Sequence, residues 1–134
     1  MVELVISINI IILILTLCLP TSNLKPNKVN SFVEQLHVDI RYVRKMNILG
    51  NRSTYIYFEK DKDREKYILK ENGDVKKECY LPTNIDINEY SKKIMFRHDG
   101  SPEPRGGTIN IIGENIKKSI TIVPVSGRVI LKEG

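Results

Sequence analysis

Aromatic residues are scarce in this chain: no tryptophan, three phenylalanines and six tyrosines, 7% of 134 residues. That scarcity argues against a base-stacking platform of the kind that binds single-stranded nucleic acid. Cysteine is rarer still. Cys18 falls in an apolar run and Cys79 in the polar part, so they give neither a disulfide framework nor metal-ligand spacing. The alternation of strand and helix signals that marks a doubly wound nucleotide-binding sheet is missing. No Lys or Arg precedes Leu4, and Leu17-Cys18-Leu19 offers no small pair, so two features of a cleavable signal peptide are lacking. Leu17 also stands where a lipoprotein signal needs a small residue before its cysteine.

What the chain does have is a long aliphatic run at its start. Residues 4–19 are almost wholly apolar, with Glu3 as the one charge beside them and Pro20 at their end. Sixteen helical residues span about 24 Å, a little under the ~30 Å of bilayer hydrocarbon. A carboxylate gives a plain anchor nothing. An acidic side chain inside hydrocarbon costs free energy, so Glu3 needs a cationic partner or a functional reason.

The organisation read from the pattern is residues 1–20 as a hydrophobic transmembrane or assembly helix, 21–50 as an amphipathic helix continuing it, and 51–134 as an antiparallel β domain. Pro20 and Pro26 punctuate the first boundary, as a kink or a short linker. From Lys28 a helical period returns. Val29, Phe32, Val33, Leu36, Ile40, Val43 and Met46 recur at spacings of three and four and make one apolar stripe for packing on a sheet. Glu34, Asp39, Arg41, Arg44 and Lys45 are assigned to the other faces, and Gly50-Asn51 ends the helix.

Beyond Asn51 the period changes to two and turn signals recur. Residues 54–59 and 65–71 read as a hairpin with 60–64 at its tip. Asn72-Gly73-Asp74 turns into a strand over 76–81. Residues 85–87, 93–97, 108–112, 119–123 and 128–132 read as further strands, and 98–106 as a Gly/Pro-rich loop. One long helix followed only by strands predicts an α+β fold with an antiparallel sheet.

Candidate chemistry is thin. Glu59, Asp61, Asp63 and Glu65 alternate with Lys60, Lys62, Arg64 and Lys66, which reads as a solvated hairpin tip; a calcium loop needs a central glycine and unneutralised carboxylates. His37 and His98 have no Cys/His partner at ligand spacing, so no metal site is expected. Gly106-Gly107 is not followed by the Lys-Ser/Thr of a phosphate loop. Cys79 reads as a small core residue and Arg128 as surface or turn chemistry. No nucleophile or acid–base constellation stands out, so neither catalysis nor a cofactor is expected. The net charge is +5 with cations scattered along the chain. A scattered excess means solubility, and weak, salt-sensitive contact with DNA ranks well below it.

Val2-Glu3-Leu4-Val5, with Glu3 and Pro20 bracketing an apolar helix, resembles the start of the type IV prepilins. The chain departs from that pattern at its first residue, where Met1 takes the place of an apolar residue. The β-rich part resembles the minor pseudopilins of the GspH/FimT type and the related competence pilins. That likeness rests on Ile94-Met95-Phe96 followed by Gly100, on Gly107-Thr108-Ile109, on Ile120-Thr121-Ile122 and on Gly127-Arg128-Val129. The resemblance implies a pilin-like fold and a minor pilin or pseudopilin of a type IV pilus, a type II secretion pseudopilus or a competence pilus. It implies partners among other pilin subunits, the inner-membrane assembly platform and membrane lipid. It implies single-pass membrane residence with the C-terminal domain outside the cytoplasm, and an extracellular place once assembled. Lys25 and Lys28 follow the run and by themselves favour the opposite orientation. The assembly residues it singles out are Glu3, whose carboxylate would meet the free α-amine of a neighbouring subunit, and Pro20. The alternative is a membrane-anchored extracytoplasmic binding domain with an uncleaved signal anchor, in which Glu3 has no role.

Overall fold

The computed structural model describes residues 1–18 and 28–133. Helix α1 covers Val2–Cys18 and helix α2 covers Lys28–Ile48. Pro20 and Pro26, and with them the expected kink or linker, lie outside the described residues. The strands that follow are β1 (Tyr55–Asp61), β2 (Arg64–Glu71), β3 (Asp74–Tyr80), β4 (Ile85–Asn88), β5 (Lys93–Phe96), β6 (Pro102–Glu103), β7 (Gly107–Gly113), β8 (Lys117–Ile122) and β9 (Val129–Glu133).

Helix α2 ends as its sequence dictates. The Gly50 amide donates to the Asn47 carbonyl at 3.1 Å and the Asn51 amide to the Met46 carbonyl at 2.9 Å. These two bonds form a Schellman cap that satisfies carbonyls the helix would otherwise leave free. Between β2 and β3, Asn72 and Gly73 both take positive φ, 54° and 84°, the two-residue turn whose twist matches a hairpin. The turn between β1 and β2 is tighter than its sequence suggests. Lys60, Asp61 and Arg64 extend the strands, in register with Glu65 and with each other, and only Lys62-Asp63 turns. Alternating charges pair well across an antiparallel ladder, so the strands zip further than apolar alternation indicates.

The strands form two antiparallel sheets where a single sheet was expected. The larger has the order β3-β2-β1-β5-β6 and the smaller the order β4-β7-β8-β9. The loop expected over 98–106 contains β6, which pairs Pro102 with Phe96 and Glu103 with Met95. Alternate residues of both sheets meet the buried stripe of α2. Ile56, Phe58, Tyr67, Leu69, Ile94 and Phe96 come from the larger sheet, and Ile109, Ile111, Ile120 and Ile122 from the smaller. The core thus lies between one helix and two sheets, with α2 packed on β1 and β5 of the larger and on β9 of the smaller.

One assignment made from sequence is reversed by the packing. Asp39 does not lie on an outer face of α2. It is buried, 5% exposed, one residue from Ile40 on the core side. Its carboxylate accepts hydrogen bonds from the Tyr67 hydroxyl at 2.7 Å and the Gln35 amide at 3.0 Å, and pairs with the Lys77 ammonium at 3.2 Å. Three partners compensate the desolvation of the carboxylate. Met46, placed in the stripe, is half-buried, and Asn47 beside it is fully buried.

Candidate assembly site

Helix α1 carries one charge, Glu3, in its first turn, where the helix dipole favours a carboxylate. Its aliphatic side chains from Val2 to Leu17 are 48–77% exposed and cover every side of the helix. No hydrogen bond or ion pair among the described residues engages the Glu3 carboxylate; the Glu3 backbone carbonyl accepts the Ser7 hydroxyl at 2.8 Å. A helix that is apolar all round belongs inside something apolar, and among the described residues nothing in this chain supplies it. Its 17 residues measure about 25 Å. Among the described residues, no helix is long and apolar enough to cross a membrane. Pro20, the other expected assembly residue, is outside the described range.

The helix–sheet residues occupy the inner side of α2. Val33, Leu36, Ile40 and Val43 are fully buried, Phe32 nearly so, and Val29 is half-buried against them. Phe32 meets the Tyr67 ring edge-on with centroids 5.6 Å apart, and Phe58 meets the same ring at 6.4 Å. Burial pushes the Tyr67 phenol far above its ordinary range, and its neighbours Cys79 and Asp39 push the same way. The phenol therefore stays neutral and remains a donor to Asp39. Tyr90 is also pushed up by burial, to about 12, with Arg105 opposing.

Polar side chains fix the lower half of α2 to the sheets. Asn47 donates to the carbonyls of Asn51 at 2.8 Å and Thr54 at 2.9 Å, and accepts the Phe96 amide at 2.8 Å. One amide thereby joins the helix end, the approach to β1 and the end of β5. Arg44 reaches two loops. Its Nε donates to the Gly100 carbonyl at 3.2 Å and its guanidinium NH2 to the Ser126 carbonyl at 3.1 Å. Gly127, at φ 68°, lies so close to Gly100 that a Cβ would fall 1.8 Å from the Gly100 carbonyl oxygen. Gly100 and Gly127, separate motif positions along the sequence, are one contact in space, held under Arg44.

The remaining expected sites are dispersed. The Glu59–Glu65 charges line the β1–β2 hairpin, exposed from Glu59 through Arg64, with Lys60 opposite Glu65 and Asp61 opposite Arg64 in register, and Lys66 lies 3.7 Å from both Glu59 and Glu78. His37 faces the Val129 carbonyl at 3.5 Å and His98 sits in an exposed turn, so the two are not brought together. Among the described residues, no three His, Cys, Asp or Glu side chains are placed to hold a metal ion. Cys79 is half-buried against the core. Asp39, Asn47 and the reach of Arg44 were missed from sequence. Positions 39 and 47 sit three and four residues from Leu36 and Val43, so a polar residue on the apolar stripe was the available signal for both.

No model of a known protein family matches the sequence, and no curated protein matches it. Solved structures do. A crystal structure of the type IV minor pilin FimU from Pseudomonas aeruginosa PAO1 superposes with a TM-score of 0.62 at 18% identity, covering 81% of this chain and 91% of that one. A second crystal form of FimU gives 0.57 at 18% identity, covering 77% and 91%. The chain has a type IV pilin-like fold.

Proposed function

We propose that this chain is a minor pilin or pseudopilin that works by assembly and not by catalysis. The observation that carries the reading is α1: a helix apolar on every side, bearing one carboxylate, on a domain with a pilin-like fold. The surfaces that would satisfy such a helix are a bundle of similar helices and, before assembly, membrane lipid, with local thinning where the apolar length falls short. In the bundle the Glu3 carboxylate meets the α-amine of an adjacent subunit. Removing one partner of a buried ion pair costs roughly 3–5 kcal/mol, because the other charge is left uncompensated. Such a pair selects one axial register over its neighbours. The domain of β1–β9 stands outside the cytoplasm, and the partners are sibling pilin subunits and the inner-membrane platform that inserts them. A type IV pilus, a type II secretion pseudopilus and a DNA-uptake pilus all accommodate this architecture.

The test is expression of the full chain in a pilus-forming bacterium with matched assembly genes, followed by shearing. The parent chain enters the sheared surface fraction. Glu3→Gln stays in the membrane fraction and is lost from the sheared one. Equal recovery of Glu3→Gln in sheared material overturns the role of Glu3. A parent chain confined to the membrane with the machinery present overturns the assembly reading in favour of an anchored binding domain.

A further inference from the structure

The side of α2 turned away from the core is not uniformly polar. Its exposed stripe runs Val38, Arg41, Lys45, Leu49, with Val38 55% and Leu49 69% exposed. This stripe forms one wall of an open groove of about 820 Å³; Ser126, Arg128 and Val129 form the other. Arg41, Arg44, Lys45 and Arg128 all line it, and among the described residues that line it there is no Asp or Glu. Arg44 is committed to the carbonyls of Gly100 and Ser126. No ion pair or hydrogen bond among the described residues engages the side chains of Arg41, Lys45 or Arg128; Arg128 uses only its backbone, the amide donating to the Ser126 hydroxyl at 3.3 Å. Arg41 and Lys45 are four residues apart on one helix face, a like-charge arrangement that works against the helix. Elsewhere in the domain Arg52, Lys66, Lys76, Lys77, Lys92 and Lys118 each have a carboxylate within 3.7 Å, whereas the groove gathers three unpaired cations in one place beside aliphatic surface.

We propose that this groove is a docking site for an acidic segment of a partner protein carrying aliphatic anchors. Charge complementarity calls for carboxylates against three free cations. The aliphatic surface of Val38, Ile48, Leu49 and Val129 calls for apolar side chains between them. A nucleic acid fits less well. Its phosphates would meet the cations but bury no aliphatic floor. The one aromatic ring in the groove, Tyr42, already has Lys76 4.3 Å above one face and its hydroxyl bound to Glu71 and Lys76, so it makes a poor platform for a base. From Val38 to Leu49 the wall is about 17 Å long, room for roughly five extended residues. The inference uses only the folded domain and does not rest on the assembly reading above.

The experiment is fluorescence anisotropy with the full chain in detergent micelles. The probes are a labelled peptide alternating leucine and glutamate, the same peptide with glutamine for glutamate, and a labelled single-stranded oligodeoxynucleotide. The glutamate peptide binds, and the glutamine peptide binds about tenfold more weakly or worse. Arg41→Gln with Lys45→Gln and Arg128→Gln brings the glutamate peptide down to the glutamine level. Leu49→Ser alone also weakens it, at unchanged salt dependence, and Arg41→Lys keeps it. These side chains are exposed, and circular dichroism checks that each variant is folded. The proposal is overturned if the glutamate peptide does not bind or if the triple variant binds it like the parent. An oligonucleotide that binds more tightly than the peptide and ignores Leu49→Ser also overturns it, and makes the groove a polyanion surface.

Discussion

The Tyr67 hydroxyl on β2 donates to the Asp39 carboxylate on α2 across 2.7 Å, inside the core. Both residues are almost fully buried, so neither group has water to fall back on. Tyr67→Phe removes the hydroxyl and little volume. We expect it to lower stability by about 1–3 kcal/mol, the cost of leaving a buried acceptor short of a partner. Urea denaturation of the full chain, followed by circular dichroism, measures the loss; no change in the midpoint would mean that Gln35 and Lys77 suffice for Asp39.

Asn47 makes three hydrogen bonds from a site with no solvent access. Asn47→Ala orphans two carbonyls and one amide and is expected to cost roughly 2–4 kcal/mol. Asn47→Asp does not rescue it, because a carboxylate has no proton to give the carbonyls of Asn51 and Thr54. Thermal unfolding of both variants is the check.

Gly73 and Gly127 both have positive φ, but their surroundings differ. A Cβ at Gly73 meets nothing within 4 Å, whereas at Gly127 it collides with the Gly100 backbone. Gly73→Ala is expected to cost about 1 kcal/mol from left-handed backbone strain alone. Gly127→Ala must cost more, since two loops have to separate and Arg44 loses its geometry. Equal midpoints for the two variants would refute the close approach.

The Glu71 carboxyl is held below the usual carboxylate range by hydrogen bonds from Lys76 first and Tyr42 second. A lowered folded pKa means that the bridge contributes stability above the unfolded value, about 4.3 for glutamate. That contribution is lost as pH falls through the lower folded value. Glu71→Gln should therefore flatten the acid limb of stability against pH, leaving the neutral limb parallel to the parent. Denaturation midpoints from pH 7 down to pH 3 report it.

The two helices were legible because their signals are local. An unbroken aliphatic run and a stripe of period 3.6 need no knowledge of the rest of the chain. The Asn72-Gly73 turn was legible for the same reason, since two left-handed residues in succession are a property of that dipeptide. Asp39 is not legible as a core residue because a charge on an amphipathic helix ordinarily marks its outer face. The pattern 36, 39, 40, 43 puts it on the inner face, where Gln35 is a local partner and Tyr67 and Lys77, 28 and 38 residues away, complete the compensation of its charge. The candidate site divides likewise. Glu3 stood out as a lone charge beside hydrocarbon, whereas the basic groove depends on Arg128 meeting Arg41 across 87 positions and has no local signature.

The order of residues by itself determined the apolar helix with its single acid, the amphipathic helix after it, and the succession of strands apart from β6, since each is set by side-chain periodicity within a few neighbours. Tertiary structure alone decided that the strands divide into two sheets, with β1 beside β5 and β4 beside β7. It alone brought Gly100 against Gly127 and left Arg41, Lys45 and Arg128 on one wall-to-wall groove. Strand partners are chosen by how well distant faces bury one another, and that free energy exists only once the chain has closed on itself.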